Sequence, residues 1–294
     1  MLMPQLLPII TLWLGLTTVA SAQVSNSEQF VFLNHFFVVV DEPTYEAIQA
    51  SDYLREVFSV TEERVTERND ASYSGYYMYG RNTYFEFLTE SLNPWESAII
   101  LSGDAEGAME RVKGSQIPQL YIGTTPITRE FEGRQVPWFS IAGNLGYPER
   151  REFGVGIMEY HPSYLSEYYP MEEPRSRGVS REEVLTRYAS ILGESQEDRI
   201  LNDVVGITVS VTPTERSALL RFFGSLGFDS VTEGGYDVLK GSDFELRITS
   251  IPNAMSRITE VRLDLETDPG ENRIFRFGAN SILRISDGEA VWSF

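Results

Sequence analysis

The chain contains no cysteine, only two histidines, and far fewer bases than acids. Without cysteine there is no disulfide framework, thiol nucleophile or thiolate metal site, so packing alone must hold the fold. His35 and His161 are the whole histidine complement. That excludes a tri-histidine zinc site, and any metal centre must lean on carboxylates. With 24 Lys and Arg against 43 Asp and Glu, the formal net charge is −19. Such a surface repels nucleic acid and anionic lipid and sets both aside as partners. The sequence also lacks a phosphate loop, a dinucleotide fingerprint and a Ser-His-Asp arrangement.

No segment beyond the first 22 residues is apolar enough to cross a bilayer. The beginning is different. An apolar stretch runs from Pro8 to Leu16, Ala20-Ser21-Ala22 forms an A-x-A cleavage signature, and polar Gln23-Val24-Ser25-Asn26 comes next. The apolar run is shorter than the ~20 residues of a membrane span. Residues 1–22 are expected to be a signal peptide, although no Lys or Arg precedes the apolar run. The mature protein is then exported, periplasmic or extracellular, with no membrane association after cleavage. Hydrophobic residues make up 42% of the chain, which supports a substantial core.

From Phe30 onward the chain reads as sheet and helix in a repeating order. Phe30–Val40 is nearly continuous in apolar and β-branched residues, as a buried strand should be. Asp41 can cap the next helix and Pro43 suits its first turn. Three strands are predicted at Phe58–Arg68, Ser72–Tyr79 and Thr83–Leu88, giving a βαβββ unit. A second such unit opens with Val204–Val211, after which Thr212-Pro213-Thr214-Glu215 is a capping box with Pro at the first helical position. Its later strands are expected at Tyr236–Lys240, Phe244–Thr249 and Arg257–Leu265. His35 lies over Gly206 in the two opening strands, and Tyr79-Gly80 over Lys240-Gly241. The sequence thus divides into a signal peptide (1–22), a first unit (23–112), an inserted segment (113–200), a second unit (201–266) and C-terminal strands (267–294). Asp287-Gly288 supplies a hairpin turn in the last part. The fold class is α+β, with two βαβββ modules in a cupped mixed sheet.

Chemistry-bearing residues are few. His35 interrupts the first strand, and Glu86 sits in Tyr84-Phe85-Glu86-Phe87. A carboxylate among apolar neighbours in a central strand is costly unless paired or ligated. Glu86 reads either as a salt-bridge partner of Arg64 or Arg81, or as a ligand. His35 reads either as a hydrogen-bonded histidine within a sheet or as a ligand. His161 reads as a turn or capping residue ahead of Pro162, or as an alternative third ligand. Tyr77, Tyr79 and Tyr84 either line a ligand cleft or simply pack.

The paired βαβββ arrangement resembles the vicinal oxygen chelate superfamily, which includes glyoxalases, bleomycin resistance proteins and dioxygenases. Leu33-Asn34-His35, Tyr79 through Glu86, Met158 through Pro162, and Gly178-Val179-Ser180-Arg181 also resemble an uncharacterised bacterial family with glyoxalase-like features. The superfamily resemblance implies a divalent metal in the cup, held by first- and last-strand side chains. His35, Glu86 and Glu245 would be that metal set, with Glu86 also the catalytic carboxylate. Arg247 is the other occupant of the last-strand position, depending on a short gap in the internal alignment. It would make the cleft a ligand-binding site for an anionic group together with Tyr77, Tyr79 and Tyr84. Three readings stay open: a metal-dependent enzyme acting on a small oxygen-rich molecule, a non-catalytic small-molecule binding protein on the same scaffold, and an interaction protein that pairs through its C-terminal strands.

Overall fold

A computed structural model describes residues 28–69, 72–89, 96–114, 121–122, 126–143, 153–168, 178–253 and 255–294. The signal-peptide reading of 1–22 lies outside the described residues. No helix among the described residues is long and apolar enough to cross a membrane.

The chain opens with β1 (Phe32–Val39), α1 (Glu42–Gln49), β2 (Val60–Glu67), β3 (Ser72–Tyr79) and β4 (Tyr84–Leu88). Asp41 Oδ1 accepts the Thr44 N–H at 2.9 Å, and Pro43 occupies the first turn. Both hold α1 at its start. The chain continues through β5 (Ser97–Ser102), α2 (Ala108–Gly114), β6 (Tyr121–Ile122), β7 (Ile127–Phe131), β8 (Arg134–Gly143) and β9 (Phe153–Tyr160). These strands form one nine-stranded sheet in the order β2-β3-β4-β1-β5-β9-β8-β6, with β7 also on β8. The segment between the two expected units therefore extends the first sheet. Its order β5-β9-β8, with β5 parallel to β9, repeats the pattern β1-β4-β3 with β1 parallel to β4.

Two helices come next, α3 (Tyr164–Tyr168) and α4 (Arg181–Ile191). A capping box between Ser180 and Glu183 starts α4. The second half contains β10 (Leu201–Val211), α5 (Pro213–Ser225), β11 (Asp229–Glu233), β12 (Tyr236–Lys240), β13 (Glu245–Ser250), β14 (Arg257–Leu265), β15 (Arg273–Phe277), β16 (Ser281–Ser286) and β17 (Glu289–Ser293). Its eight-stranded order is β11-β12-β13-β10-β14-β17-β16-β15. The Thr212–Glu215 capping box opens α5 as expected. Asp287 and Gly288, both with positive φ, make the last hairpin turn. The duplicated βαβββ fold is thus present, one copy opening each sheet.

The helix-bearing faces of the two sheets share one core. Phe36, Val38 and Phe85 pack there with Ile48 of α1, alongside Val209 and Leu246 and with Phe222 of α5. Trp292, from the last strand, lies 5.9 Å from the Phe85 ring and 5.0 Å from Phe87, and so joins the halves directly. Polar latches rim this core. Asp203 accepts from the Asn82 and Thr83 backbone N–H groups and from both their side chains, each at 2.8 Å. Arg181 holds Asp104 and Asp243, while Asp243 also accepts the Leu33 N–H at 2.8 Å.

Candidate functional site: the covered face of the first sheet

The opposite face of the first sheet carries a second core. Tyr77, Tyr79, Tyr84 and Tyr160 of the sheet pack there with Tyr164 of α3 and Tyr188 of α4. His35 and Glu86 lie within this aromatic layer. Strand register explains why: β1 pairs with β4 so that His35 faces Tyr84 and Phe37 faces Glu86. The His35 ring stacks on Tyr84 with centroids 4.4 Å apart. His35 Nε2 stands 3.9 Å from Glu86 Oε1, and their side chains are 13% and 5% exposed.

Asn34 sets the histidine tautomer that the geometry favours. Its Oδ1 lies 2.7 Å from His35 Nδ1, and its Nδ2 donates to Ser102 Oγ at 2.9 Å. The imidazole proton therefore sits on Nδ1, and Nε2 turns its lone pair toward Glu86. Burial lowers the His35 pKa to about 3, assisted by the nearby charge of Arg68. Burial raises Glu86 to about 7, against the pull of Arg64 and Arg68 and of hydrogen bonds from Tyr77 and Tyr84. Desolvation disfavours the charged form of each, so both are driven toward neutrality. A gap of 3.9 Å is too long for a direct hydrogen bond between the two groups.

Guanidinium groups border the pair. Arg64 bonds Glu62 at 3.1 Å and lies 4.1 Å from the Tyr77 ring centroid. Arg129 donates to the Tyr164 and Tyr188 hydroxyls at 3.4 Å each. Tyr188, Arg68 and Arg129 escape a motif-based search because they come from three separate segments and meet only in the fold. The sequence signal that bears on this face is the number of tyrosines in predicted strands.

The expected residues separate into groups. His35, Glu86, Tyr77, Tyr79 and Tyr84 come together on this face, and Tyr77 and Tyr79 are almost wholly buried. Glu245 does not join them. It lies in the second sheet, bonded to Arg262 at 2.7 Å, with Arg247 at 3.5 Å. Among the described residues no three His, Asp or Glu side chains gather as a metal set. The covered face thus offers two protein donors bordered by guanidinium groups, which does not match the three-ligand set anticipated for a divalent ion. His161 serves the turn into α3: its carbonyl accepts the Tyr164 N–H at 2.8 Å, and its Nδ1 accepts the Ser163 N–H at 3.3 Å. Arg81 pairs with Glu266 at 3.3 Å and not with Glu86.

The register also resolves the internal alignment. The turns Gly80–Thr83 and Gly241–Phe244 are closed by the same hydrogen bond, from the first N–H to the last carbonyl, at 2.8 and 3.0 Å. They have the same length, so no gap is needed. Gly206 faces Glu245, and Thr208 faces Arg247, as His35 faces Tyr84 and Phe37 faces Glu86. Arg247 is therefore the counterpart of Glu86, and Glu245 that of Tyr84.

Among the solved structures that match, one bears on the fold. A hypothetical protein from Staphylococcus aureus matches with a TM-score of 0.53 at 13% identity, over 87% of this chain and 98% of its own. A xylose isomerase-like TIM barrel/4-hydroxyphenylpyruvate dioxygenase fusion protein matches with a TM-score of 0.43 at 8% identity, over 81% of this chain but 37% of its own. A mutant 4-hydroxymandelate synthase from Streptomyces coelicolor gives 0.41 at 8% identity, over 79% and 70% of the two chains. No curated protein matches the sequence. A family model matches residues 33–294, and the chain belongs to that family, a family of unknown function (DUF5829).

Proposed function

We propose that this protein binds a small, oxygen-rich molecule at the covered face of the first sheet, and that an uncharged His35 and a Glu86 that exchanges its proton near pH 7 serve it as a pair. The observation that carries this reading is the pair itself. An imidazole lone pair and a carboxyl group converge across 3.9 Å in a shielded aromatic layer. One ligand oxygen placed between them could accept the Glu86 proton and donate its own to Nε2. Tyr84 fixes the imidazole plane by stacking, and Tyr77 and Tyr79 line the layer. Arg64 and Arg68, which favour an anion at Glu86, weigh against a resident cation. The apolar run and Ala20-Ser21-Ala22 support placing this activity outside the cytoplasm.

A metal-dependent enzyme is the competing reading. Elemental analysis of the purified protein, with and without chelator, separates the two. The proposal expects no stoichiometric metal, a Tm indifferent to chelator, and a Tm increase with one class among small hydroxy acids, keto acids and diols. That increase should vanish in His35→Ala. Stoichiometric metal whose removal lowers the Tm would instead support the enzyme. A Tm shift that survives His35→Ala would remove the pair from the binding site.

A further inference from the structure

We propose that the face of the second sheet turned away from the shared core is a binding site for a small oxyanion, a carboxylate or phosphate group, held by Arg247 and Arg262, whose guanidinium groups meet at Glu245. This site is separate from the His35–Glu86 pair and does not depend on it.

The helix α5 packs on the other face, where Phe222 and Phe223 meet Val209 and Leu246. The face in question is left partly open: the side chains of Arg247 and Arg262 are 37% and 28% exposed, and Arg284 is exposed. Pairing across the sheet aligns Glu245, Gly206, Arg262, Val291 and Arg284 in one row. Arg247 lies in the next row with Thr208, Glu260 and Ser293. Ser293 accepts from Arg284 Nη1 at 3.3 Å.

Two features point to a ligand. The first is the glycine. A Cβ at Gly206 would lie 2.6 Å from Arg262 Nε and Nη2, so the missing side chain is what lets that guanidinium lie across the strand. In the first sheet the same position carries His35. The second is the imbalance of partners. Glu245 is shared by Arg262 and Arg247, and Arg247 Nε is shielded from solvent without a hydrogen-bond partner. A shielded donor left unmatched costs free energy that an arriving acceptor recovers. The guanidinium fork suits a planar or tetrahedral oxyanion and binds it in two-point fashion. Glu245, which already lies on both guanidinium groups, and Glu260 in the neighbouring row are the charges an incoming anion must compete with. In a chain of net charge −19, a face presenting three arginines to solvent is the exception.

The test is calorimetric titration and thermal shift of the full chain with inorganic phosphate and with citrate, at constant ionic strength against a chloride control. The expected result is saturable binding of at least one probe that raises the Tm. Arg247→Gln should weaken it about tenfold, as expected for losing a charge-assisted two-point contact. Arg247→Lys keeps the charge without the fork, and should retain more affinity than Arg247→Gln but less than wild type. Gly206→Ala, which displaces the Arg262 guanidinium while keeping every charge, should also weaken binding. Equal affinity in wild type, Arg247→Gln and Gly206→Ala would overturn the proposal, as would no saturable response to either probe. If one of these variants folds poorly, Arg262→Gln reads the same site: it should also weaken binding, and affinity equal to wild type would contradict the proposal.

Discussion

The two sheets begin with the same path and then use the same positions for opposite chemistry. In the first, the row through His35, Tyr84 and Ile100 and the adjacent Glu86 lie beneath α3 and α4, and their ionisable groups are driven neutral. In the second, the equivalent positions are Gly206, which is buried, and Glu245, Arg262 and Arg247, which are partly exposed and charged. Cover decides which chemistry is tolerated. Beneath helices a carboxyl group keeps its proton or finds a base, whereas beside solvent a carboxylate keeps two arginines. A duplicated scaffold has thus been divided between a dry, proton-carrying face and a wet, guanidinium-bearing one.

Perturbing what the halves share should give the largest effect. Trp292→Ala opens a cavity where the second half meets Phe85 and Phe87, at a cost of about 3–5 kcal/mol. Urea unfolding followed by fluorescence and by circular dichroism should give a single lowered transition. Two separate transitions would show the halves to be independent bodies.

The next effect isolates the dry face through its pH dependence. Glu86 has its folded pKa raised from 4.5 to about 7. Its favourable contribution is complete below about 4.5 and is lost as pH rises through 7, because the unfolded chain releases the proton first. For His35, lowered from 6.5 to about 3, the contribution is complete above 6.5 and is lost as pH falls toward 3. The two oppose each other between these windows, so wild type alone shows a muted profile. Glu86→Gln removes one of them. Its unfolding free energy relative to wild type should rise by roughly 2–3 kcal/mol between about pH 4 and about pH 8. A pH-independent difference would mean that Glu86 titrates as an ordinary carboxylate.

A smaller loss is expected at the rim. Asp243→Ala removes one of the two carboxylates on Arg181, whose side chain is 7% exposed, and frees the Leu33 N–H. Because Asp104 still pairs with Arg181, the expected cost is about 2 kcal/mol by equilibrium denaturation. The smallest effect should fall on the wet face. Gly206→Ala pushes on the flexible end of Arg262 and costs about 1 kcal/mol or less, chiefly through the Arg262–Glu245 pair. In an Arg262→Ala background the same substitution should cost nothing further.

Much of the fold was legible in the sequence where one physical cause dominated. Near-continuous apolar residues marked β1 because both of its faces are covered, and Thr212 and Glu215 marked the start of α5 because a capping box is local. The strands of residues 121–143 were not legible. Pro137 falls inside β8 and Gly143 ends it, and turn-forming residues crowd its flanks. β11 is exposed along its whole length, so Asp229–Glu233 shows no alternation of apolar and polar residues. At the site, His35 and Glu86 stood out as polar residues within apolar strands. Arg64 was legible as a candidate partner of Glu86, whereas Arg68 and Tyr188 were not, because only tertiary pairing brings them there. Whether Glu245 or Arg247 matches Glu86 depended on a short gap in the internal alignment, and the equal turn lengths leave no gap, so Arg247 is the counterpart.

The neutral pair is tested most directly by following the Glu86 side-chain carboxyl carbon with 13C NMR across pH, assigned by its absence in Glu86→Gln. The account predicts a titration midpoint near 7 and a neighbouring His35 that stays uncharged well below its ordinary 6.5. A Glu86 midpoint near 4.5, with His35 protonating near 6.5, would describe a charged pair and contradict it.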